Sequence, residues 1–147
     1  SSHKMEHKAS LYEEATRVPL IICDPDGPRG ALNQEHLVCN GIDFYPTICD
    51  YAGTDRPDHL TGLSLRPVAR GGSPATWRDH VLIESELGYG IRTKDLFYVL
   101  YDEGANREQL YDLKKDPGQT RNFIHDAGYE KDLATLRGQI KGYLQER

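Results

Sequence analysis

The sequence of 147 residues predicts an α/β fold in two parts, and three observations lead to that prediction. An apolar run at residues 18–22 is typical of a buried parallel strand. A helical repeat of apolar residues follows at 42–53. Farther on, four short β-rich segments and an amphipathic pattern predict a small antiparallel sheet with a covering helix. We expect residues 1–70 to be elements of a larger sheet-and-helix layer. Residues 71–147 are expected to form the small four-stranded subdomain with its C-terminal helix.

Composition limits the classes of partner. The formal net charge is −5 and the isoelectric point about 5.6, which argues against a nucleic-acid-binding surface. The mean hydropathy is −0.66, and no run approaches the ~20 apolar residues that a membrane span needs. Residues 1–10 are polar and carry no signal-peptide pattern. We therefore expect neither nucleic acid nor membrane as a partner, and the sequence leaves the compartment open.

The opening stretch combines charge with an adjacent strand pattern. Two histidines and two lysines precede the apolar run, in which nearly every position is apolar: Val18, Leu20, Ile21 and Ile22. In open α/β sheets, chemistry sits in loops at strand ends, so a cationic loop here could hold an anion. A solvated, charged connector before a core strand is the alternative.

A turn and a helix follow the predicted strand. Residues 23–30 are dense in proline, glycine and aspartate, which ends the strand. Residues 37–53 open with a short strand-like piece and continue as a helix that Gly53 ends. The apolar residues at helical spacing predict its buried face: Ile42, Tyr45, Ile48, Cys49 and Ala52. Cys23, Cys39 and Cys49 lack metal-ligand spacing and are expected to pack as small buried residues.

The pattern of residues 70–147 predicts a sheet followed by a helix. Residues 70–74 form a Gly-rich linker. Strands rich in aromatic and β-branched residues are predicted at the following positions: 80–85, 89–93, 96–101 and 108–113. A final helix is predicted from about residue 129 to 145. Its Leu133, Leu136, Ile140 and Leu144 lie on one face and its charges on the other.

Residues 8–20 run from Lys8 through Glu13 to an Arg-Val-Pro-Leu sequence at positions 17–20. This stretch resembles the Lys-x-x-x-[Tyr/Phe]-Glu-x-x-x-Arg-Val-Pro segment of the type I, formylglycine-dependent sulfatases. The resemblance implies that Lys8 is the sulfate-binding lysine of that family. His3 lies five positions earlier, where many members carry a histidine, and is implied as a substrate-binding residue.

Other stretches resemble the same family. Residues 43–53 and 59–67 are similar to its Asp-Ile-Phe-Pro-Thr and Leu-x-Gly-x-Ser-Leu-x-Pro segments. Residues 91–123 resemble its tail, with Val-Arg-Thr, Glu-Leu-Tyr-Asp-Leu and Asp-Pro-x-Glu-x-x-Asn-Leu sequences. The chain departs from this tail at Gln119, where glutamate is usual, and at Phe123, where leucine is usual. We expect neither change to affect catalysis.

The resemblance implies a fold, a reaction and cofactors. The chain is identified as the C-terminal portion of an alkaline-phosphatase-like sulfatase, with a sulfate-ester substrate. Calcium (or another divalent cation) and formylglycine are expected in the full-length enzyme, with their ligands and the nucleophile upstream of residue 1 and no metal ligand in this chain. Cys23 begins a stretch that lacks the arginine of the Cys-x-Pro-x-Arg activation motif, so we interpret it as a loop residue. The missing N-terminal sulfatase domain is the expected partner. A fragment without it is expected to be inactive and to expose apolar surface, which leads either to self-association or to disorder.

Three further side chains are candidates for the site. His7 stands beside Lys8 and could donate a proton to the leaving group, because its unperturbed pKa lies near neutrality. The alternative is that it only packs or hydrogen-bonds in the loop. Arg92 is a candidate substrate-binding residue, and Lys94 could also line the substrate entrance. A plain ion-pairing role for both is the alternative.

Two other functions are compatible with these residues. The first is a phosphodiesterase or a phosphonate monoester hydrolase of the same superfamily, because the lysine segment alone does not separate these enzymes from sulfatases. The second is a non-catalytic remnant module. Carbohydrate, aryl and small alkyl sulfates are all compatible with the tail, so the sequence leaves the substrate open.

Overall fold

The computed structural model describes residues 10–146. These residues form two compact units: one from residues 19–79, the other from residues 10–18 together with residues 80–146. The helices are α1 (Glu13–Thr16), α2 (Asn40–Ala52), α3 (Arg66–Ala69) and α4 (Glu130–Gln145), and a 3₁₀ helix (Ala127–Tyr129) precedes α4. The strands are β1 (His80–Ser85), β2 (Gly88–Thr93), β3 (Leu96–Tyr101) and β4 (Glu108–Asp112). The domain boundary predicted at residue 70 stays a prediction.

The four strands form one antiparallel sheet in the order β1-β2-β3-β4. The predicted four-stranded antiparallel sheet is therefore confirmed, with each strand within about a residue of its expected position. Two-residue and longer turns link neighbours in sequence, so every pairing is local and needs no crossover. Beyond β4, the backbone N–H of Leu110 donates to Oδ1 of Asn122 at 2.9 Å, and the N–H of Phe123 donates to the Leu110 carbonyl at 2.8 Å. These bonds occupy part of the free edge of the sheet.

One face of the sheet is covered by α4. The register aligns Leu82, Ile91, Tyr98 and Leu110 across the four strands. Because side chains alternate along a strand, this row points to a single face. On that face the row packs with Leu133, Leu136 and Ile140 of α4, together with Phe123 and Tyr129. The predicted amphipathic helix is confirmed, except that Leu144 is 40% exposed near its end.

The opposite face carries the second apolar cluster of this unit. Phe97 and Val99 of β3 and Tyr111 of β4 surround Leu11, and all four are nearly inaccessible to solvent. Burying a leucine of this kind contributes about 1.5–3 kcal/mol. The sheet is thus buried on both faces, with residues near Leu11 acting as the second cover.

The other unit, residues 19–79, is organised by buried polar groups on α2. Asp43 is fully buried, and its carboxylate accepts two hydrogen bonds of 2.5 Å from the Arg78 guanidinium. The backbone N–H groups of Cys39 and Leu63 donate to the same carboxylate, each at 2.8 Å. One aspartate therefore connects the start of α2, the chain after it and the residues before β1.

The segment after α2 continues this pattern. Leu65 donates its N–H to Oγ1 of Thr47 at 2.9 Å, and Ser64 donates its hydroxyl to Asp50 at 2.5 Å. Gly62 allows this segment to lie close to the backbone of α2, because a Cβ at residue 62 would lie 1.9 Å from the Ile42 carbonyl oxygen. The buried side of α2 therefore carries two polar residues, Asp43 and Thr47, beside Pro46 and Cys49.

Two predictions for this half were wrong. Residues 18–22 form no strand: the described residues give them no pairing partner, and Ile21 is 85% exposed. A strand needs a neighbouring backbone for its ladder bonds, which an apolar run does not supply by itself. The predicted buried face of α2 was also wrong, because Tyr45 and Ile48 are 56% and 65% exposed, respectively.

Smaller expectations had mixed outcomes. α2 begins at Asn40 and ends at Ala52, and Gly53 ends it in the left-handed region with a φ of 68°, as predicted. Cys49 is buried, but Cys23 is exposed and Cys39 only half-buried, so the expectation of three buried thiols was wrong. Cys23 lies in a loop, as predicted. Within residues 10–146, no helix is both long and apolar enough to cross a membrane.

Asp43 gives the first testable prediction. Asp43→Ala should lower the free energy of unfolding by about 3–5 kcal/mol. The substitution leaves the partly buried Arg78 guanidinium and two backbone N–H donors without their hydrogen-bond acceptor. Denaturant unfolding measures the change, with the exposed Asp58→Ala as the matched control. A loss below about 1 kcal/mol would contradict the central role of this carboxylate.

Asp112 at the end of β4 gives the second. Its hydrogen bond from the Tyr129 hydroxyl, at 2.6 Å, is the main cause that lowers the pKa of the carboxyl to about 2. Because the folded pKa lies below the unfolded one, this contribution is fully present above about pH 4 and is lost as the pH falls toward 2. Wild type should therefore lose about 1–2 kcal/mol more than Asp112→Asn over that window, as measured by denaturation at each pH. An exposed control, Asp132→Asn, should keep the wild-type slope.

Candidate functional site

The candidate site lies where the first described residues join the sheet. Leu11 is buried in the second apolar cluster, and Ser10 beside it is only 6% exposed. The Tyr12 ring contacts that of Tyr111, with centroids 5.9 Å apart. Burial, followed by a hydrogen bond with Tyr12, raises the pKa of the Tyr111 phenol, which therefore stays neutral. Apolar packing of Leu11 and Tyr12 thus anchors this segment to the sheet.

Glu13 begins the one-turn helix α1 and is held from two sides. Its backbone N–H donates to Oε1 of Gln119 at 2.7 Å. Its carboxylate accepts from Nε of Arg92 at 2.8 Å and from Nη2 of the same side chain at 3.5 Å. The side chains of Glu13 and Arg92 are 15% and 19% exposed, so solvent screens this ion pair less than a surface pair.

A small, open depression adjoins this ion pair. Its volume is about 170 Å³, and it is lined by Glu13, Arg17, Arg92, Lys94, Leu113, Lys114 and Pro117. Arg17 approaches the Glu13 carboxylate at 3.9 Å, whereas Lys114 bonds to Asp95 at 2.8 Å. Four cationic side chains and one carboxylate line the walls, so the depression carries a surplus of positive charge.

The predicted site residues have different outcomes. His3, His7 and Lys8 lie outside the described residues, so their roles stay predictions. Arg92 and Lys94 both line the depression. The Arg92 guanidinium bonds to Glu13 and also donates through Nη1 to the Thr93 carbonyl. Its contacts are therefore those of an ion-paired side chain.

Two residues of this site were missed by the sequence analysis. Glu13 is one of these two residues: its shorter ion-pair contact comes from Arg92, 79 positions away, whereas Arg17 lies at 3.9 Å. Gln119 was noted only as a departure from the sulfatase tail pattern. That departure was the one signal in the sequence that pointed to this residue. In the structure Gln119 is 3% exposed and has a positive φ of 49°, which is unusual for a residue other than glycine.

A metal site is not formed by the described part of the chain. Among residues 10–146, no three His, Cys, Asp or Glu side chains come together in a way that could hold a metal ion. These residues do not fit the calcium implied by the resemblance. Cys23 does not fit the formylglycine position, because Gly27 stands where the activation motif has arginine.

Comparison with known proteins identifies the family. The family model described as "N-sulphoglucosamine sulphohydrolase, C-terminal" matches residues 1–146. Delta 4,5-hexuronate-2-O-sulfatase of Bacteroides thetaiotaomicron is 36% identical over 98% of this chain, which corresponds to 32% of that protein. The chain thus spans about a third of the length of this curated relative.

Solved structures agree with the fold. The chain is similar to a crystal structure of a putative sulfatase from Bacteroides thetaiotaomicron, with 37% identity and a TM-score of 0.62 over 71% of this chain and 24% of that one. A phosphonate monoester hydrolase from Silicibacter pomeroyi shares the fold at 24% identity, with a TM-score of 0.58 over 71% of this chain and 24% of that one. The resemblance to sulfatases and the alkaline-phosphatase-like fold class are confirmed. The chain therefore belongs to the N-sulphoglucosamine sulphohydrolase C-terminal family and corresponds to the C-terminal portion of a sulfatase.

Proposed function

We propose that the chain is the C-terminal part of an enzyme that hydrolyses sulfate esters of acidic sugars, and that it supplies Lys8 to bind the sulfate group. The observation that carries this proposal is the family match, which runs through residues 1–146 and so includes the lysine segment. The relative named as a hexuronate-2-O-sulfatase aligns with 98% of the chain and supports a sulfated sugar as the substrate class.

The chemistry asks for a fixed cation. Cleavage of a sulfate ester develops negative charge on the bridging and terminal oxygens, and a positioned cation stabilises that charge more strongly in a water-poor site than in bulk water. Lysine suits this role because its ammonium is a compact point charge on a flexible stem. His7, next in sequence, is proposed as a proton donor to the leaving alcohol, and His3 as a contact to the substrate.

The depression beside Glu13 supports an acidic substrate. Its cationic lining, with Lys94, Arg17 and Lys114 around the Arg92–Glu13 pair, would attract a sulfated or carboxylated sugar by long-range electrostatics. A phosphonate ester would be attracted as well. The sulfatase function is favoured over the phosphonate hydrolase because the named sulfatase relative is 36% identical, whereas that hydrolase structure shares the fold at 24% identity.

The exposed apolar side chains of residues 19–79 support a larger assembly. Phe44, Tyr45, Ile48 and Tyr51 form an outward stripe on α2, each at least 41% exposed. Exposed apolar groups of this extent typically mark surfaces that another element covers. We propose that the N-terminal sulfatase domain covers them and holds the nucleophile and the divalent cation.

Lys8→Ala in the complete enzyme tests the central proposal. It should lower kcat by about 10²–10³-fold, the loss typical for removing one group that stabilises a developing oxyanion, and leave the thermal unfolding temperature unchanged. Steady-state hydrolysis of a 2-O-sulfated hexuronate disaccharide and of an aryl sulfate measures the effect. Lys141→Ala on the exposed side of α4 is the matched control. Wild-type kinetics for Lys8→Ala would remove this lysine from the mechanism.

The isolated 147-residue chain gives a second test. It should hydrolyse no aryl sulfate above the buffer rate, because the proposed nucleophile belongs to another part of the enzyme. Size-exclusion chromatography of the same sample should show self-association through the exposed apolar residues, and the complete enzyme serves as the positive control. Robust turnover by the purified chain would contradict the proposal that the nucleophile lies in another part of the enzyme.

A further inference from the structure

We propose that Arg92 and Gln119 are positioning residues, which together clamp Glu13 and thereby hold the segment that leads to Lys8. This inference rests on the sulfatase function proposed above and deepens it. It assigns Arg92 a role through Glu13, in place of direct contact with the substrate. Glu13, Arg92 and Gln119 together form what we call the Glu13 clamp.

The clamp grips both the main chain and the side chain of one residue. Gln119 accepts the backbone N–H of Glu13 at 2.7 Å, which fixes the start of α1. Arg92 approaches both carboxylate oxygens, at 2.8 and 3.5 Å, with two nitrogens of its planar guanidinium. Such a fork defines the direction of the carboxylate as well as its distance. Residue 13 therefore has little freedom to shift or rotate.

The sheet supplies a rigid base for this grip. The register places Arg92 opposite Phe97, and Phe97 opposite Tyr111. Because side chains of one cross-strand row share a face, Arg92 projects on the face where Leu11 is buried. Burial of Leu11 and the Glu13 clamp thus act on the same short segment from the same face of the sheet.

The guanidinium of Arg92 is already engaged by the protein. Its Nε and Nη2 face Glu13, and its Nη1 donates to the Thr93 carbonyl. Three of its five N–H donors are thus used within the protein, and two of these three face the same carboxylate. In contrast, the side chain of Arg17 on the same depression is 70% exposed and meets Glu13 only at 3.9 Å. The geometry therefore favours a positioning role for Arg92 over a substrate contact.

Gln119 is itself held in an unusual conformation. Its φ of 49° lies in the left-handed region, which residues other than glycine seldom adopt. Its N–H donates to the Asp116 carbonyl at 3.0 Å, and its side chain is almost fully buried. Such conformations persist where the surrounding structure requires them and often occur near functional positions. Here the conformation presents the side-chain amide to the N–H of Glu13.

The clamp can affect the reaction because of its place in the sequence. Lys8 precedes Glu13 by five residues and Ser10 by two. A displacement of the chain at residues 10–13 therefore acts within five residues, in sequence, of the ammonium that we propose for sulfate binding. Misplacement of a reacting group by about 1 Å can cost about 10²-fold in rate.

The experiment combines clamp variants with Lys8→Ala in the complete enzyme. Arg92→Met should lower kcat about ten- to a hundredfold with little change in KM, and Gln119→Met should lower it less. In the Lys8→Ala background, neither variant should lower kcat further, whereas the thermal unfolding temperature should fall equally in both backgrounds. Arg92→Lys should restore part of the rate, because it keeps the charge but not the fork. Arg121→Met removes a surface arginine that is paired to Asp126 at 3.7 Å, and serves as the matched control with wild-type kcat.

The outcomes separate the clamp from the proposed function. Equal losses of kcat for Arg92→Met in both backgrounds would overturn the inference, because the effect would then be independent of Lys8. A raised KM with unchanged kcat would overturn it in favour of direct substrate binding. Wild-type kinetics for Lys8→Ala alone would instead contradict the proposed function. Should Arg92→Met fail to fold, Glu13→Gln, which keeps the shape of the side chain and removes its charge, is subjected to the same two-background comparison and decides in the same way.

Discussion

The small sheet is apolar on both faces, and this constraint governs the unit that contains it. An antiparallel sheet commonly leaves one face in water, but here Tyr98 and Phe97, adjacent in β3, are both nearly inaccessible to solvent. Two separate covers are therefore required. One is α4, and the other is the short segment around Leu11, which reaches the sheet from a distant part of the sequence. Burial of this segment gives the sheet unit an N-terminal anchor that α4 alone could not supply.

The second unit follows a different physical rule. In residues 19–79, the buried side chains of Asp43 and Thr47 bind backbone and arginine groups, while several apolar side chains face outward. Buried polar groups are costly unless every hydrogen-bonding position is occupied, so such a network specifies one arrangement and tolerates few others. The same arrangement leaves an apolar surface available for another part of the protein.

These two units relate differently to the proposed reaction. The sheet unit bears the cationic depression and the Glu13 clamp, so the role proposed for it is electrostatic and positional. The unit of residues 19–79 contributes a surface suited to packing. A sulfatase that divides its site between separate stretches of chain needs both, because a cation stabilises a developing charge only when the supporting structure holds it at a defined place.

The elements whose signals are local could be predicted from the sequence. The four strands and α4 were predicted close to their observed bounds, because β-rich runs and helical periodicity depend on neighbouring residues. The segments around Lys8 and Arg92 that resemble the sulfatases could also be identified from the sequence. Tertiary structure alone decided which side of α2 is buried, that residues 18–22 form no strand, and that Glu13 pairs with Arg92. The hydrophobicity of a side chain indicates that its burial is favourable, but it does not indicate which element covers it. An ion pair between residues 79 positions apart leaves no local pattern in the sequence.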